Sequence, residues 1–238
     1  MSISSSPRSD LNNQLLASLS ANDFARLEPN LKSVWFNFGE VIYETGDRIK
    51  YVYFPTTAII SQLYTMENGS TAETGIIGKD GLSGIALFLG SEIIPNREIV
   101  HIAGNALRME AKTAQNEFLR GGTFQRILLR YTQALMRQIS QTAICNRLHC
   151  VEQHFCRWLL INHDLIQRDK LRMTHESIAI LLGARRGSIS EAAGRLQSEG
   201  LISYVRGTIK VLDRKGLEAR VCECFQVVKD EYIRLFGN

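Results

Sequence analysis

The segment from Thr174 to Gly200 carries the side chains with the clearest chemistry in this sequence. Thr174 is suited to the N-cap of a helix, because a threonine hydroxyl accepts a hydrogen bond from a free backbone amide in the first turn. Gly183 can adopt the left-handed conformation that ends a helix and turns the chain sharply. The pattern therefore predicts two short helices joined by a tight turn, with the second running to about Glu199.

The second helix has a distinct inner and outer face. Ile189, Ala193 and Leu196 share one side and are predicted to pack inward. Arg186 begins the outward side, and its guanidinium can form two parallel hydrogen bonds with guanine. In a helix-turn-helix, the first turns of the second helix enter the major groove of DNA. The segment therefore indicates DNA reading, and the alternative is an ordinary helical hairpin with a solvated basic edge.

The residues after this segment predict a wing, that is, a β-hairpin beside the two helices. Leu201–Leu212 reads as two short strands around a turn at Arg206 and Gly207. Arg206 and Lys210 are then placed to contact phosphates, which adds salt-dependent affinity and little sequence information. From Arg168 to Lys215 there are ten basic and five acidic residues, whereas the whole chain has a net charge of only +4. This local surplus favours a polyanionic partner.

Cysteines and histidines offer a second possible chemistry. Two pairs with a spacing of four residues can each share a helical face: Cys145 with His149, and Cys150 with His154. They suggest a metal or redox site. We adopt the alternative interpretation, in which the thiols pack in the interior and the imidazoles lie in solvent. Cys222 and Cys224 would point in different directions on one helix and chelate poorly. We therefore predict no metal site, and the odd number of cysteines argues against a disulfide framework.

The elements that position these groups begin with a β-rich region. Six runs rich in β-forming residues are predicted to be strands: Val34–Phe38, Val41–Tyr43, Tyr51–Phe54, Ala58–Met66, Thr71–Ile77 and Glu98–Met109. Between the fourth and fifth runs, Glu67, Asn68 and Gly69 form a strong hairpin signal. Short strands with regular turns are typical of an antiparallel roll or barrel.

Helices are predicted on both sides of this region. Leu15–Leu31 has helical spacing interrupted at Ser20, and residues 113–166 are predicted to be helical with a break near His149–Val151. The long segment carries an apolar stripe made of Phe124, Ile127, Leu128, Tyr131, Leu135 and Ile139. The stripe suits either a seam between two chains or packing against its own domain. A last helix is predicted from Lys215 to Phe236.

Nearly the whole length resembles the Crp/Fnr family of bacterial regulators. The resemblance is carried by Phe38–Asp47, by Gly78–Gly84 and most closely by Thr174–Ile202. It implies an α+β fold with an N-terminal antiparallel β-roll of the cyclic-nucleotide-binding type, a long dimerisation helix and a C-terminal winged helix-turn-helix. We accordingly predict a flexible tail over residues 1–14, a β-roll domain over 15–117, a dimerisation helix over 118–149 and a DNA-binding domain with a C-terminal helix over 150–238. It also implies that the apolar stripe is the dimer interface.

The resemblance implies roles for individual residues. Thr174 and Arg185 correspond to backbone-contacting positions, and Arg186 to a base-reading arginine. The full set predicted to bind DNA is Thr174, Arg185, Arg186, Gly187, Ser188, Ser190, Glu191, Arg195, Arg206 and Lys210. Gly187 and Glu191 stand where the cyclic-AMP receptor protein carries a base-reading glutamate and a second base-reading arginine, so a different target is expected. Glu191 either accepts from a cytosine amino group or only pairs with Arg195.

The β-roll departs from the cyclic-nucleotide binders that it resembles. A possible effector pocket includes Gly84, Ile85 and Arg97. Ile85 stands where those proteins carry a ribose-binding glutamate, and Glu98 follows Arg97 where a small hydroxyl residue is expected. Glu98 would repel a phosphate, so control by cyclic AMP is not expected, and Arg97 is predicted to be a surface or salt-bridged residue. Relatives that hold an iron–sulfur cluster use cysteines near the N-terminus, and no cysteine precedes Cys145 here.

These features together favour a sequence-specific transcription regulator. We expect it to act as a homodimer on a pseudo-palindromic duplex in the cytoplasm, with RNA polymerase as a further partner, no membrane partner, no cofactor and an unknown effector. The alternative is a regulatory module whose β-roll binds a small ligand or cyclic nucleotide, with DNA binding secondary. An enzyme is not expected, because the sequence contains no Walker loop, dinucleotide fingerprint, nucleophile elbow or zinc hydrolase motif.

Overall fold

A computed structural model describes residues 12–166 and 170–237 of this chain. Residues 1–11 of the predicted flexible tail lie outside this range. The end of that prediction differs from the structure, because Asn13 is buried and its side chain donates hydrogen bonds to the carbonyls of Pro55 and Gly81, at 2.9 and 3.0 Å. No helix in the described part of the chain is long and apolar enough to cross a bilayer.

The chain divides into two compact units. The first contains the described residues of 12–60, 76–135 and 232–237, and the second contains those of 61–75, 136–166 and 170–231. This division differs from boundaries at 117 and 149, because the helix that starts after the β-roll contributes residues to both units.

Seven strands confirm the predicted antiparallel roll. They are β1 (Lys32–Phe36), β2 (Val41–Tyr43), β3 (Tyr51–Pro55), β4 (Ile59–Thr65), β5 (Thr71–Ile77), β6 (Arg97–Ile102) and β7 (Gly104–Glu110). They form a sheet with the order β1-β7-β3 and another with the order β2-β6-β4-β5. The hairpin predicted between β4 and β5 is also confirmed: Met66 donates its amide to the carbonyl of Ser70 at 2.8 Å, and Gly69 has a φ of 83°.

The predicted run Glu98–Met109 is two strands in two different sheets, β6 and β7. Gly104 explains the division, because it lies directly against the backbone of the turn that precedes β4. A Cβ added to Gly104 would lie 2.5 Å from backbone atoms of Thr57 and Ala58. The carbonyl of the next residue, Asn105, accepts hydrogen bonds from three amides of this turn. Glycine therefore allows the close approach at which the chain passes from one sheet to the other.

The α-helices that pack within or begin in the described part of the first unit are α1 (Gln14–Ala17), α2 (Ala21–Leu27), α3 (Ala111–Leu119) and α4 (Gly122–Leu148). Most of the predicted dimer stripe on α4 is buried in the core of its own unit, and we call these residues the inner stripe: Phe124, Ile127, Leu128, Tyr131 and Leu135. Only Ile139 of the predicted interface remains exposed, at 38%. In the single chain, the burial of the inner stripe favours the other alternative, packing against its own domain, over a seam between two chains.

The second unit contains the winged helix-turn-helix. Its elements are α5 (Val151–Ile166), β8 (Lys170–Arg172), α6 (His175–Leu181), α7 (Arg186–Ser198), β9 (Ile202–Val205), β10 (Thr208–Val211), α8 (Arg214–Arg220) and α9 (Cys224–Phe236), whose last residues belong to the first unit. The break predicted near His149–Val151 is confirmed between α4 and α5. The single last helix predicted from Lys215 is wrong, because Val221 adopts an extended conformation that ends α8.

Gly104→Ala tests the packing at the passage between the sheets. We expect the free energy of unfolding to fall by about 1–3 kcal/mol, as for other overpacked sites, because backbone atoms must move to admit the methyl group. Chemical denaturation followed by circular dichroism measures this change. Gly194→Ala is the matched control, since an added Cβ there meets nothing within 4 Å. Equal stability of the two variants would contradict the interpretation.

Candidate DNA-binding site

The two predicted helices of the helix-turn-helix are α6 and α7, and their ends are formed as the sequence predicts. The Thr174 hydroxyl accepts a hydrogen bond from the amide of Ser177 at 3.1 Å and caps α6. Gly183 has a φ of 59° in the turn. Arg185 is extended and occupies the N-cap of α7, and Arg186 is the first residue of that helix. Both arginines are exposed at the N-terminal end of α7.

The inner face of α7 is buried as predicted. Ile189 and Leu196 are fully buried, and Ala193 is 2% exposed. On the outer face, the Arg186 side chain is 73% exposed and lies 3.7 Å from a carboxylate oxygen of Glu176. Exposed ion pairs of this kind stabilise a protein little. The guanidinium of Arg186 is therefore available to an external partner at little cost.

The remaining predicted positions of α7 differ in how much they are occupied by contacts within the chain. Gly187, Ser190 and Glu191 are exposed, and Ser188 is half-buried. Within the described parts of the chain, Glu191 has no hydrogen bond or ion pair. The alternative pairing with Arg195 is thus not formed, and Arg195 binds Glu152 of α5 instead, with 2.6 Å between Nε and Oε2.

Arg195 is part of an ion-pair network between helices. Glu152 accepts from Arg195 and, at 3.3 Å, from Arg220 of α8. Arg220 also binds Glu199 at the end of α7. The hydrogen bond with Glu152 raises the pKa of Arg195. Arg195 therefore holds α7 against α5 in this structure, although it was predicted to bind DNA.

The wing is formed by β9 and β10, with β8 as a third strand that the sequence did not predict; the order is β8-β10-β9. Arg206 and Gly207 both have a positive φ, 48° and 75°, as a two-residue hairpin of this hand requires. The carbonyl of Gly207 accepts from the amide of Met173 at 2.8 Å, which ties the wing turn to the start of α6. Arg206 and Lys210 are exposed.

His175 is a residue of the site that the sequence analysis missed. Its ring stacks on Tyr204 of β9, with 4.0 Å between the centroids and an angle of 18° between the planes. Its Nδ1 lies 3.0 Å from the hydroxyl of Ser190 on α7. Burial, helped by the charge of Arg186, lowers the pKa of His175. A neutral imidazole thus joins α6, α7 and the wing, and the partners lie 15 and 29 residues away, so no local pattern indicates them.

The predicted effector-pocket residues lie in the first unit and are occupied by contacts within the chain. Gly84 is left-handed, with a φ of 92°, and Ile85 is part of the core. Arg97 is paired with Glu44 at 3.1 Å, which confirms that it is salt-bridged. Glu98 is 1% exposed and accepts a hydrogen bond from the hydroxyl of Ser83.

The cysteines group differently from the sequence prediction. Cys145 and His149 lie beside Cys222 and Cys224, with all ligand atoms within 4.8 Å of one another. Cys150 is exposed, and His154 instead places Nε2 at 2.7 Å from the carbonyl of Cys145. The expectation that Cys222 and Cys224 point apart is corrected, because Cys222 lies before the start of α9 and not on the helix.

Comparison with known proteins agrees with this geometry. Residues 153–220 match the Crp-like helix-turn-helix domain family. The fold is similar to that of a protein assigned to the Crp/Fnr regulators from Eubacterium rectale (TM-score 0.66, 16% identity, 88% of this chain and 98% of that one). It is also similar to FixK2 from Bradyrhizobium japonicum (0.67, 14%, 81% and 98%) and to a CRP-family regulator from Thermus thermophilus (0.66, 18%, 79% and 95%). No curated protein gives a significant match to this chain.

Substitutions at His175 test whether it holds the site together. His175→Ala removes the stacking on Tyr204 and the hydrogen bond with Ser190, and aromatic pairs contribute about 0.5–1.5 kcal/mol beyond their buried area. We expect a lower midpoint of thermal unfolding. His175→Phe keeps a ring on Tyr204 and should lose less.

Ser190→Ala is the matched control, because it removes the same hydrogen bond as His175→Phe. The double variant of these two should lose no more stability than either alone. An unchanged unfolding midpoint for His175→Ala would show that the stack does not stabilise the domain.

Proposed function

We propose that this Crp/Fnr-type regulator, whose residues 153–220 match the Crp-like helix-turn-helix family, binds pseudo-palindromic double-stranded DNA as a homodimer. The observation that carries the proposal is the exposed first turn of α7, with Arg186 unburied beside a cationic wing. We expect the chain to act on DNA in the cytoplasm, together with RNA polymerase.

The chemistry divides between base reading and phosphate binding. Arg186 supplies the bidentate donor for guanine. Glu191 is available to accept from a cytosine amino group, and Gly187 leaves open space, since an added Cβ would meet nothing within 4 Å. Thr174, Arg185, Ser188 and Ser190 flank this reading surface.

The wing supports phosphate binding. Lys170 of β8 and Lys210 of β10 are cross-strand partners. Like charges directly opposite each other destabilise a strand pair. A phosphate between them would relieve this repulsion, and Arg206 at the turn extends the same cationic edge. These contacts add affinity that falls as the salt concentration rises.

The homodimer is proposed to use a second apolar stripe of α4, which we call the outer stripe: Leu129, Thr132, Met136, Ile139 and Ala143. These residues follow the alternating three- and four-residue spacing of a coiled-coil seam. Leu129 and Met136 are 52% and 60% exposed, unlike the inner stripe. A second copy of α4 is the occupant that this spacing fits, and a two-fold dimer would present two copies of α7 to a two-fold symmetric site.

Cyclic AMP is not the proposed effector. A buried phosphate requires a cation and free donors. The carboxyl of Glu98, next to Arg97 in the sequence, is buried against Ser83 and would repel a phosphate there. Cyclic AMP added to the protein should therefore leave its affinity for DNA unchanged.

Arg186→Ala tests base reading. The DNA sites of the unaltered chain are first defined by selecting bound duplexes from a random pool, with and without candidate effectors. We expect the variant to lose about 1–3 kcal/mol of binding free energy and to lose discrimination at one base pair of each half-site. Arg186→Lys keeps the charge but not the two parallel hydrogen bonds, so it should not restore discrimination.

Lys210→Ala provides the matched comparison. It should weaken all duplexes about equally and reduce the salt slope by about one. Arg48→Ala, an exposed arginine of the β-roll, should leave binding unchanged. Unaltered sequence preference in Arg186→Ala would refute the assigned role of Arg186.

Met136→Lys tests the outer stripe. A charge in the seam of a coiled coil is poorly tolerated, so the variant should sediment as a monomer at concentrations at which the unaltered chain is a dimer. Met66→Lys is the control, because Met66 is similarly exposed, at 65%, but lies in the β4–β5 turn. A Met136→Lys dimer of undiminished stability would exclude this interface.

A further inference from the structure

Four potential metal ligands meet in the second unit at the end of α4. Cys145 and His149 are one helical turn apart at the end of α4, and Cys222 and Cys224 flank Glu223 at the start of α9. The Sγ atoms of Cys145 and Cys222 are 3.6 Å apart, and Sγ of Cys224 is 3.4 Å from Nδ1 of His149. The three thiols are buried, and the imidazole is half-buried.

These distances fit a tetrahedral ion. With zinc–sulfur bonds of about 2.3 Å, the sulfur atoms of a tetrahedral site lie about 3.8 Å apart. Two of the contacts are already close to this length, and the widest separation of 4.8 Å requires a movement of about 1 Å to reach it. Three cysteines and one histidine are a ligand set of structural zinc sites.

The groups around the four ligands also fit a metal. Histidine ligands commonly present their second nitrogen to a carboxylate, which orients the ring. Here Nε2 of His149 lies 3.4 Å from a carboxylate oxygen of Glu223, while Nδ1 faces the thiols. The Gln141 amide donates to Sγ of Cys224 at 3.1 Å.

A disulfide between Cys145 and Cys222 explains less of this arrangement. It would use two of the three thiols and would give no role to His149 or to the orientation of its ring by Glu223. The complete cluster has the number of ligands of a closed zinc site, in which no position remains open for a substrate.

We propose that Cys145, His149, Cys222 and Cys224 bind one zinc ion. The three thiols release their protons to solvent and bind as thiolates, and the neutral imidazole binds through Nδ1, without any oxidation or reduction. The ion links the end of α4, just before the break at residues 149–150, to the first turn of α9. It is thereby a cross-link next to the joint that precedes the DNA-binding helices.

The test uses the full-length chain, purified under reducing conditions, freed of metal with a chelator and titrated with cobalt and then with zinc. Cobalt should give the d–d absorption of a tetrahedral thiolate site at one equivalent, and zinc should abolish it. Zinc should also raise the midpoint of thermal unfolding. Circular dichroism of every variant reports whether the chain is folded.

Matched variants locate the site. Cys222→Ser and Cys224→Ser should lose the tetrahedral spectrum, whereas Cys150→Ser, an exposed cysteine outside the cluster, should keep it. Glu223→Gln leaves all four ligands in place and should weaken zinc about 10-fold. This variant tests the site even where a ligand substitution prevents folding.

Three results would overturn the proposal. The first is no cobalt spectrum in the reduced chain, and the second is a spectrum that survives in folded Cys222→Ser and Cys224→Ser. The third is an iron–sulfur cluster in the chain as purified, without competition from zinc.

Discussion

The carboxylate of Glu152 joins α5 to α7, the second helix of the helix-turn-helix. It is 15% exposed and receives Arg195 of α7 and Arg220 of α8, so one side chain of α5 joins three helices. Arg220 extends the connection to Glu199 at the end of α7. A partly buried carboxylate stabilises such an arrangement only when its partners are in place, because removing one leaves an unpaired charge. Glu152 and its two arginines thereby link the C-terminal half of α7 to α5 and α8.

The contacts of α7 within the chain determine which of its side chains remain exposed. The buried residues Ile189 and Leu196 occupy one face, and Arg195 is held on α5. The N-terminal turn of α7, which starts at the exposed Arg186, and the next residues Ser190 and Glu191 keep their outward side chains in solvent. His175 then fixes that turn relative to the wing through Tyr204 and Ser190. Which residues of α7 stay exposed therefore follows from packing as much as from the residue types.

The sequence predicted what local chemistry determines. The turn at Gly183, the hairpin turns at Gly69 and Gly207 and the cap at Thr174 each depend on neighbouring residues, and the structure contains all four. Contacts between distant residues were not predictable. Helical periodicity identified the inner stripe of α4 as apolar, but periodicity does not show whether a stripe faces its own core or another chain. The grouping of Cys145 with Cys222 depends in the same way on an α8–α9 break that no strong turn signal marks.

The β4–β5 hairpin shows how a single buried group can attach a segment to a distant part of the sequence. Residues 61–75 belong to the same compact unit as the helices of the helix-turn-helix. Glu73 is buried there and accepts from the hydroxyl of Ser61, and burial raises its pKa to about 8. The charge of Arg157 on α5 opposes this effect and lowers the pKa, so the buried carboxyl interacts electrostatically with a helix that is distant in the sequence. Ala72 lies so near the helix-turn-helix turn that a Cβ on Gly183 would be 3.3 Å from it. Gly183 therefore meets two constraints at once, a left-handed turn and a close neighbour from the hairpin.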